Sequence, residues 1–277
     1  HYMREISKDI IAEVNAICEY SKKYKNVVAN IESATRNAIL NSAAQNLRHN
    51  KNAIIAANNK DIEYSTSNNL SSQMIDRLKL DNNRIEDIAK AIEKIATLDD
   101  PLNKTLYSYK RDEGLLIERK SVPLGTILIV YEARPNVTAD AWALSLKSGN
   151  MAILKPGKEA LETSKEILKY LNSAIEEKCS IANMYQLPQT KNREFLEQIL
   201  KMNDYIDVVV PRGGHSLIQK IEECSNIPVF RHLSGNCHLY IHEDANIDKA
   251  INIIINAKLR RTSTCNSTES LVIDKSI

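Results

Sequence analysis

The sequence has little net charge and no long hydrophobic run. Its formal net charge is only +2, so electrostatics does not favour nucleic acid or an anionic membrane surface as a partner. No apolar stretch approaches the roughly 20 residues that span a bilayer, and the first residues lack the apolar core of a secretion signal. We therefore expect no nucleic-acid partner and no membrane partner.

Glycine and aromatic residues are also scarce, with 7 glycines and 5% aromatics. The sequence contains no Gly-x-Gly-x-x-Gly, so the usual phosphate-binding fingerprint of dinucleotide-binding domains is missing. Five scattered cysteines, an odd number, do not form the pattern of a disulfide framework, and a reducing cytoplasm is the expected compartment. The composition, 43% hydrophobic and 26% charged, is that of a globular protein with one large domain or two smaller ones.

The first third of the sequence predicts helices. Apolar residues recur at spacings of three and four, the period of a helix with one buried face. Four such runs are predicted, at about residues 4–18, 31–59, 71–80 and 85–96. The last run stops before Asp99-Asp100-Pro101, a sequence that ends helices.

A β-hairpin is predicted next. The β-prone segments 106–111 and 115–120 flank Asp112-Glu113-Gly114, which favours a tight turn. Both segments are amphipathic, so we expect the hairpin to project from the body of the protein with unpaired strand edges.

From Pro123 onward, predicted strands and helices alternate. Residues 126–131 are apolar on both faces, which is typical of a buried parallel strand. The predicted elements that follow are helix 138–147, strand 151–154, helix 159–177, strand 182–185, helix 190–202, strand 205–210, helix 215–224, strand 227–230, strand 238–241 and helix 244–258. This order predicts an α/β fold with a doubly wound, Rossmann-like sheet, in which ligands bind at the carboxyl ends of the strands.

Cys265 is the candidate nucleophile. It lies in a Ser/Thr/Asn-rich turn between a predicted helix and an apolar run. Such a turn can present a thiol at a loop tip, where backbone N–H groups stabilise the oxyanion formed when a thiolate adds to a carbonyl. The alternative is a small buried hydrophobic residue, the commoner role of a single cysteine.

Basic residues and glycines follow two of the predicted strands. Lys155-Pro156-Gly157-Lys158 opens a helix, and Pro211-Arg212-Gly213-Gly214 follows the strand at 205–210. A helix N-terminus attracts phosphate, and glycines allow close approach of a backbone to a ligand. The alternatives are a pair of solvated lysines and an ordinary strand-to-helix turn.

A metal site is not predicted. The four candidate ligands are His232, Cys237, His238 and His242. His238 and His242 fall on or beside one predicted strand, and the spacing does not fit the paired ligands of a zinc site.

Four motifs resemble those of γ-glutamyl phosphate reductases, a family in the aldehyde dehydrogenase superfamily. They occur in the family's order, at 125–140 with 146–150, at 210–214, at 235–238 and at 256–269. The resemblance implies an aldehyde dehydrogenase-like fold and NADPH-dependent reduction of γ-glutamyl phosphate to glutamate 5-semialdehyde, a step of proline biosynthesis. In that reaction the Cys265 thiolate displaces phosphate, and hydride then reduces the resulting thioester. A semialdehyde dehydrogenase with another substrate is a further alternative.

The resemblance also implies roles for individual residues. Asn136 is expected to donate its amide to the oxyanion, with capping of the following helix as the alternative. Lys158 is expected to attract a 2′-phosphate, which favours NADPH over NADH. The expected cofactor-binding residues are Lys155, Gly157, Lys158, Arg212, Gly213, Gly214 and Gly235. The expected substrate-binding residues are Arg134 and Arg261, while the roles of Glu132, His232 and Glu269 stay open.

The resemblance implies four segments along the chain. These are the helices of a cofactor-binding domain at 1–104, an oligomerisation hairpin at 105–122, the NADPH-binding domain at 123–258 and the start of a catalytic domain at 259–277. Because family members are longer, we expect residues 1–277 alone to have little or no reductase activity. The longer protein is expected to form a homodimer or higher homo-oligomer, and glutamate 5-kinase is a further implied partner. The alternative is a truncated paralogue that acts as a nucleotide-binding or interaction module.

Overall fold

The computed structural model describes residues 7–230, 235–260, 262 and 264–277. These residues form two compact units, which divide between residues 230 and 235. The first unit contains the N-terminal helices, the hairpin and the central sheet. The division differs from the predicted domain limit after residue 258, because the helix before that limit lies in the same unit as Cys265.

Between residues 7 and 98 the structure has five helices. Their bounds are α1 Lys8–Ala29, α2 Ser33–His49, α3 Lys51–Ser67, α4 Ser72–Leu78 and α5 Asn82–Ala96. The single helix predicted at 31–59 is wrong, because Asn50 leaves helical geometry, with φ −107° and ψ 18°. The Asn50 side chain donates a hydrogen bond to the Asn46 carbonyl oxygen at 2.8 Å, the kind of local contact by which asparagine interrupts a helix.

The predicted hairpin is confirmed. Strand β1, Thr105–Lys110, pairs in antiparallel fashion with β2, Leu116–Lys120. Gly114 closes the turn at φ +89°, a conformation that other residues rarely adopt. Every residue of β1 is exposed, as is all of β2 except the half-buried Ile117.

The central sheet of the first unit has three parallel strands, β3 Thr126–Tyr131, β4 Met151–Lys155 and β5 Val208–Arg212. Their order is β4-β3-β5. The strands predicted at 182–185 and 227–230 are wrong as full strands: only Gln186 and Val229 form single parallel bridges, one at each edge of the sheet. Strand β5 begins later than predicted because Tyr205 and Ile206 donate to the Met202 carbonyl oxygen and extend the preceding turn.

Helices cover both faces of this sheet, as the alternation predicts. They include the N-terminal helices and those that follow β3: α6 Asn136–Lys147, a short 3₁₀ helix Lys158–Ala160, α7 Leu161–Cys179, α8 Glu194–Ile199 and α9 His215–Cys224. Leu128 and Val130 of β3 pack into a core with α1, α8 and α9. Ile129 and Tyr131 point to the opposite face and pack into a core with α2, α3, α5, α6 and α7. Alternate residues of one strand therefore serve two hydrophobic cores, which is the doubly wound arrangement.

A buried carboxylate fixes the helix that follows β4. Asp61 on α3 accepts hydrogen bonds from the Thr163 N–H at 2.7 Å, the Thr163 hydroxyl at 2.6 Å and the Glu162 N–H at 3.3 Å. The cap residue of α7, Ala160, has no side chain that could serve these donors. Burial raises the pKa of Asp61, and the same hydrogen bonds act against that rise. Asp61 thus supplies from another helix the acceptor that an N-terminus requires.

The second unit contains β6 His238–Ile241, α10 Ile247–Leu259 and β7 Ser270–Ile273. The two strands are parallel, with His238 opposite Ser270, so the connecting helix makes a β-α-β crossover. Asn246 caps α10 by accepting a hydrogen bond from the Lys249 N–H at 2.9 Å. The turn that contains Cys265 lies between α10 and β7.

Candidate active site

The carboxyl ends of β3, β4 and β5 lie along one edge of the central sheet. Val130 is paired with Lys155 on one side and with Pro211 on the other, so the loops that follow the three strands are neighbours. Eight of the predicted site residues lie on these ends or loops: Arg134, Asn136, Lys155, Gly157, Lys158, Arg212, Gly213 and Gly214. The sheet topology therefore brings together residues that are separated by up to 80 positions in the sequence.

Glu132 connects the ends of β3 and β5. Its backbone N–H donates a hydrogen bond to the Arg212 carbonyl oxygen at 3.1 Å. Its carboxylate accepts one from the N–H of Gly214, the N-cap residue of α9, also at 3.1 Å. A carboxylate at a helix N-terminus is favourable because it satisfies a free N–H group and opposes the positive end of the helix dipole. Sequence reasoning left the role of Glu132 open.

Two glycines in these loops lie so close to neighbouring side chains that an added Cβ would require those side chains to shift. A Cβ at Gly213 would lie 2.7 Å from Cδ of Glu132 and 2.8 Å from Cδ2 of Leu217, and one at Gly157 would lie 2.9 Å from a carboxylate oxygen of Glu159. At Gly214 the nearest atom would be an ordinary 3.6 Å away. Gly213 and Gly157 thus allow Glu132, Leu217 and Glu159 to pack closely against these loops.

Lys155 ends β4 as a half-buried cation. Its Nζ donates a hydrogen bond to the Pro156 carbonyl oxygen at 2.8 Å. Burial lowers the pKa of Lys155, and the negative charge of Glu159 offsets part of this effect. Lys158 begins the 3₁₀ helix that follows. The β4 end therefore presents two amino groups, of which one is partly desolvated.

Asn136 is the first residue of α6, and its side chain does not cap that helix. The capping alternative is wrong because the amide instead donates to the Asp140 carboxylate, one turn further on, at 3.3 Å. Burial raises the pKa of Asp140, whereas the Asn136 hydrogen bond and the charge of Arg212 act to lower it. Sequence reasoning assigned no role to Asp140. Its four-residue spacing from Asn136 is the signal that could have paired them.

Cys265 is exposed in the second unit, at the tip of a turn. The Ser267 N–H donates to the Thr264 carbonyl oxygen at 3.0 Å and closes the turn. The Thr268 N–H donates to the Ala257 carbonyl oxygen on α10 at 3.1 Å. The side chain of Cys265 is therefore exposed in a turn and not buried as a small hydrophobic residue, and its role as a nucleophile stays a prediction.

Gly235 packs against the backbone of this turn. A Cβ at Gly235 would overlap the Cys265 carbonyl oxygen and lie 3.3 Å from the carbonyl carbon. The sequence predicts that Gly235 binds the cofactor, and within the second unit Gly235 contacts the backbone of Cys265.

Three remaining predictions concern other positions. Arg261 and His232 lie outside the described residues. Glu269 contributes its backbone, because its N–H donates to the Cys237 carbonyl oxygen at 2.8 Å and extends the pairing of β6 with β7. In the part of the chain that the structure describes, no three His, Cys, Asp or Glu side chains cluster as metal ligands. Within the same residues, no helix has the length and hydrophobicity needed to cross a bilayer.

Comparison with known proteins places these features in a family. The aldehyde dehydrogenase family model matches residues 2–277. The γ-glutamyl phosphate reductases of Idiomarina loihiensis and a Sulfurovum species are 41% and 42% identical over 94% and 95% of this chain. The crystal structure of γ-glutamyl phosphate reductase from Thermotoga maritima, 32% identical, matches 96% of this chain with a TM-score of 0.88.

The chain spans less than two thirds of the length of these proteins, 63% and 64% of the two sequences and 64% of the crystallised chain. The match to the family model nevertheless extends over almost every residue of this chain, including all the candidate site residues named above. The chain belongs to the aldehyde dehydrogenase family.

Proposed function

We propose that the protein reduces L-glutamyl 5-phosphate to L-glutamate 5-semialdehyde in proline biosynthesis, with release of phosphate and with NADPH as the reductant. The observation that carries the proposal is the meeting of Lys155, Lys158 and the 212–214 turn at one edge of a parallel sheet. The similarity of the chain to γ-glutamyl phosphate reductases supports the choice of substrate.

The residues at this edge fit a dinucleotide phosphate. Arg212 and Lys158 supply positive charge, and Gly213 has no side chain between its backbone and a ligand. Lys155 has donors left beyond its contact with the Pro156 carbonyl oxygen, and these can bind ribose hydroxyl groups. Lys158 favours the additional 2′-phosphate of NADPH through its charge. Bound NADPH would supply the hydride for the reduction.

The thiol of Cys265 carries the covalent step in this proposal. Its thiolate attacks the acyl carbon of the substrate, a C–S bond forms, and the C–O bond to phosphate breaks, with the electron pair leaving on phosphate. Asn136 is proposed to stabilise the oxyanion through its amide, a contribution that is typically about 3 kcal/mol. Arg134 and Arg261 are proposed to bind the negative charges of the substrate.

The oligomeric state, the protein partner and the cellular location are proposed from the same family resemblance. The exposed hairpin, with Leu106, Tyr107 and Leu116 each 58–62% exposed, is proposed to mediate homo-oligomer formation. We also propose that the protein associates with glutamate 5-kinase and is located in the cytoplasm.

Titration of the chain with NADPH and with NADH tests the cofactor assignment. We expect saturable binding of NADPH, and we expect Lys155→Ala to weaken it by about tenfold, equivalent to 1.4 kcal/mol. Lys165→Ala is the matched control, because Lys165 is a lysine of the same unit that lies on α7. Equal effects of the two substitutions, or the absence of binding to the wild-type chain, would refute a dinucleotide site at this edge.

Cys265 distinguishes an enzyme from a nucleotide-binding paralogue. An acylating thiol should react with iodoacetamide faster than Cys224, which is half-buried on α9. Similar rates at the two thiols would favour the binding module. Turnover is a separate measurement: we expect little or none from residues 1–277, and NADPH-dependent reduction by them would contradict that expectation while leaving the cofactor assignment intact.

A further inference from the structure

The second unit places the thiol of Cys237 next to the backbone of Cys265. Cys237 directly precedes β6, and Cys265 lies in the turn before β7. The Cys237 thiol donates a hydrogen bond to the carbonyl oxygen of Cys265, with Sγ and O 3.5 Å apart. We propose that Cys237 and Cys265 form a reversible disulfide when a hydroperoxide oxidises Cys265.

The geometry places the Cys237 thiol close to the backbone of Cys265. A carbonyl oxygen lies about 2.4 Å from the Cα of its own residue, so Sγ of Cys237 is at most about 6 Å from the Cα of Cys265. In a disulfide, with an S–S bond of about 2.05 Å, the same sulfur lies about 4 Å from the partner Cα. The disulfide therefore requires rotation of the exposed Cys265 side chain and a shift of about 2 Å at most between Cys237 and the turn that contains Cys265.

Backbone contacts hold both cysteines in place. The Cys237 carbonyl oxygen accepts hydrogen bonds from the N–H groups of Glu269 at 2.8 Å and Ser270 at 3.3 Å. Gly235 permits the close approach, because a Cβ there would overlap the Cys265 carbonyl oxygen and lie 3.4 Å from Sγ of Cys237. The backbones of the two cysteines are thus held side by side by the fold, through contacts that do not depend on the side-chain rotamer of Cys265.

The exposure of the two thiols determines which one is oxidised first. Cys265 is exposed and Cys237 is half-buried, so a peroxide meets Cys265 first. The Cys265 thiolate attacks the peroxide oxygen, the O–O bond breaks, and a sulfenic acid forms with release of water or an alcohol. The Cys237 thiolate then attacks that sulfur, the S–O bond breaks, and the oxygen leaves as water. Two thiols are oxidised and one peroxide is reduced in total.

This reaction would protect the nucleophile. A sulfenic acid without a nearby thiol is oxidised further to sulfinic acid, which ordinary thiols do not reverse. The disulfide, by contrast, returns to two thiols when two equivalents of a low-molecular-weight thiol are oxidised in exchange. Cys237 is therefore a modification site with a role distinct from the acyl chemistry of Cys265, and the inference stands whether or not the proposed substrate is correct.

Hydrogen peroxide treatment followed by mass spectrometry of non-reduced peptides tests the proposal. We expect a peptide pair joined through Cys237 and Cys265, lighter by two hydrogen atoms and separated by dithiothreitol. In Cys237→Ser, we expect sulfinic acid at Cys265 to accumulate about tenfold faster than in the wild-type chain. Cys224→Ser is the matched control and should behave like wild type.

Two results would overturn the disulfide. One is sulfinic acid formation at Cys265 at the same rate in wild type and in Cys237→Ser. The other is the absence of the linked peptides while Cys265 is being consumed. Circular dichroism checks that Cys237→Ser folds; if it does not, Cys265→Ser provides a second test, because Cys237 should then stay reduced under peroxide that oxidises both thiols in the wild-type chain.

Discussion

The carboxylate of Glu132, directly after β3, accepts a hydrogen bond from the N–H of Gly214 at the start of α9, at 3.1 Å. This contact joins the loops after two neighbouring strands of the sheet. It also places a negative charge in the 212–214 turn, which is proposed to bind the cofactor. The same carboxylate therefore stabilises the loop arrangement and would repel a phosphate group bound at this turn.

Replacement of Glu132 by alanine should destabilise the first unit modestly. We expect Glu132→Ala to lower the free energy of unfolding by about 0.5–1 kcal/mol, because the N-terminus of α9 loses an acceptor and a favourable charge. Urea denaturation measures the change. Glu132→Gln keeps an acceptor and should lose less; a larger loss in the glutamine variant would contradict the hydrogen-bond explanation.

Replacement of Lys158 by glutamate should change the cofactor preference. The new charge repels a 2′-phosphate, so we expect the dissociation constant for NADPH to rise by about tenfold or more while that for NADH changes little. Calorimetric titration measures both constants. Lys201→Glu changes the net charge equally at an exposed position outside the strand-end loops. Parallel weakening of both cofactors in Lys158→Glu would argue against contact with the 2′-phosphate.

Asp140 should make the protein less stable as the pH rises. Burial raises the pKa of Asp140 above its ordinary value, so the folded state holds the proton more tightly than the unfolded state. Stability then falls as pH increases from the unfolded pKa of about 3.9 through the folded pKa. We expect Asp140→Asn to gain stability relative to wild type over this window. Urea denaturation at several pH values measures the difference.

The control for this prediction is Asp112→Asn, in the exposed hairpin turn. The difference in unfolding free energy between Asp112→Asn and wild type should not change with pH in the way expected for Asp140→Asn. If the wild-type and Asp140→Asn curves run parallel across the pH range, ionisation of Asp140 does not contribute to folding as described.

Replacement of Gly235 by alanine should disturb the turn that carries Cys265. The added methyl group overlaps a backbone carbonyl oxygen, which cannot rotate away as a side chain would. We expect a loss of about 1–3 kcal/mol, the usual cost of overpacking, with faster hydrogen exchange in α10 and β7. The methyl group of Gly214→Ala would meet only an ordinary contact at 3.6 Å and should change stability by less than about 0.5 kcal/mol. Unchanged exchange in Gly235→Ala would contradict the close packing.

The elements predicted correctly are those whose residue pattern reports burial directly. Residues 126–131 form β3 with the predicted limits, because a strand covered on both faces needs apolar residues at every position. The helical run at 85–96 coincides with α5 to within a few residues, since its apolar face is regular. Helix α8 is six residues long where 190–202 was predicted, because short and irregular apolar patterns do not define helix ends.

The loops that form the candidate site could be predicted from the sequence, whereas the contacts of their side chains could not. The basic and glycine-containing loops could be assigned to strand ends because parallel strands all point their carboxyl ends to one edge of the sheet. Asn136 could not be separated from a helix cap, since both roles place an asparagine at the start of a helix. The Asn136 amide donates a hydrogen bond to Asp140, so it neither caps the helix nor lies free of protein contacts.

The order of residues along the chain is enough to establish the family and the α/β alternation and to select Cys265 as the candidate thiol, because these depend on local pattern and on motifs of a few residues each. Contacts between distant segments arise from folding: Glu132 meets Gly214 across 82 positions, and Gly235 meets Cys265 across 30. Such pairs leave little trace in local periodicity, since each partner is chosen by the space and the free hydrogen-bonding groups that the packed chain creates around it.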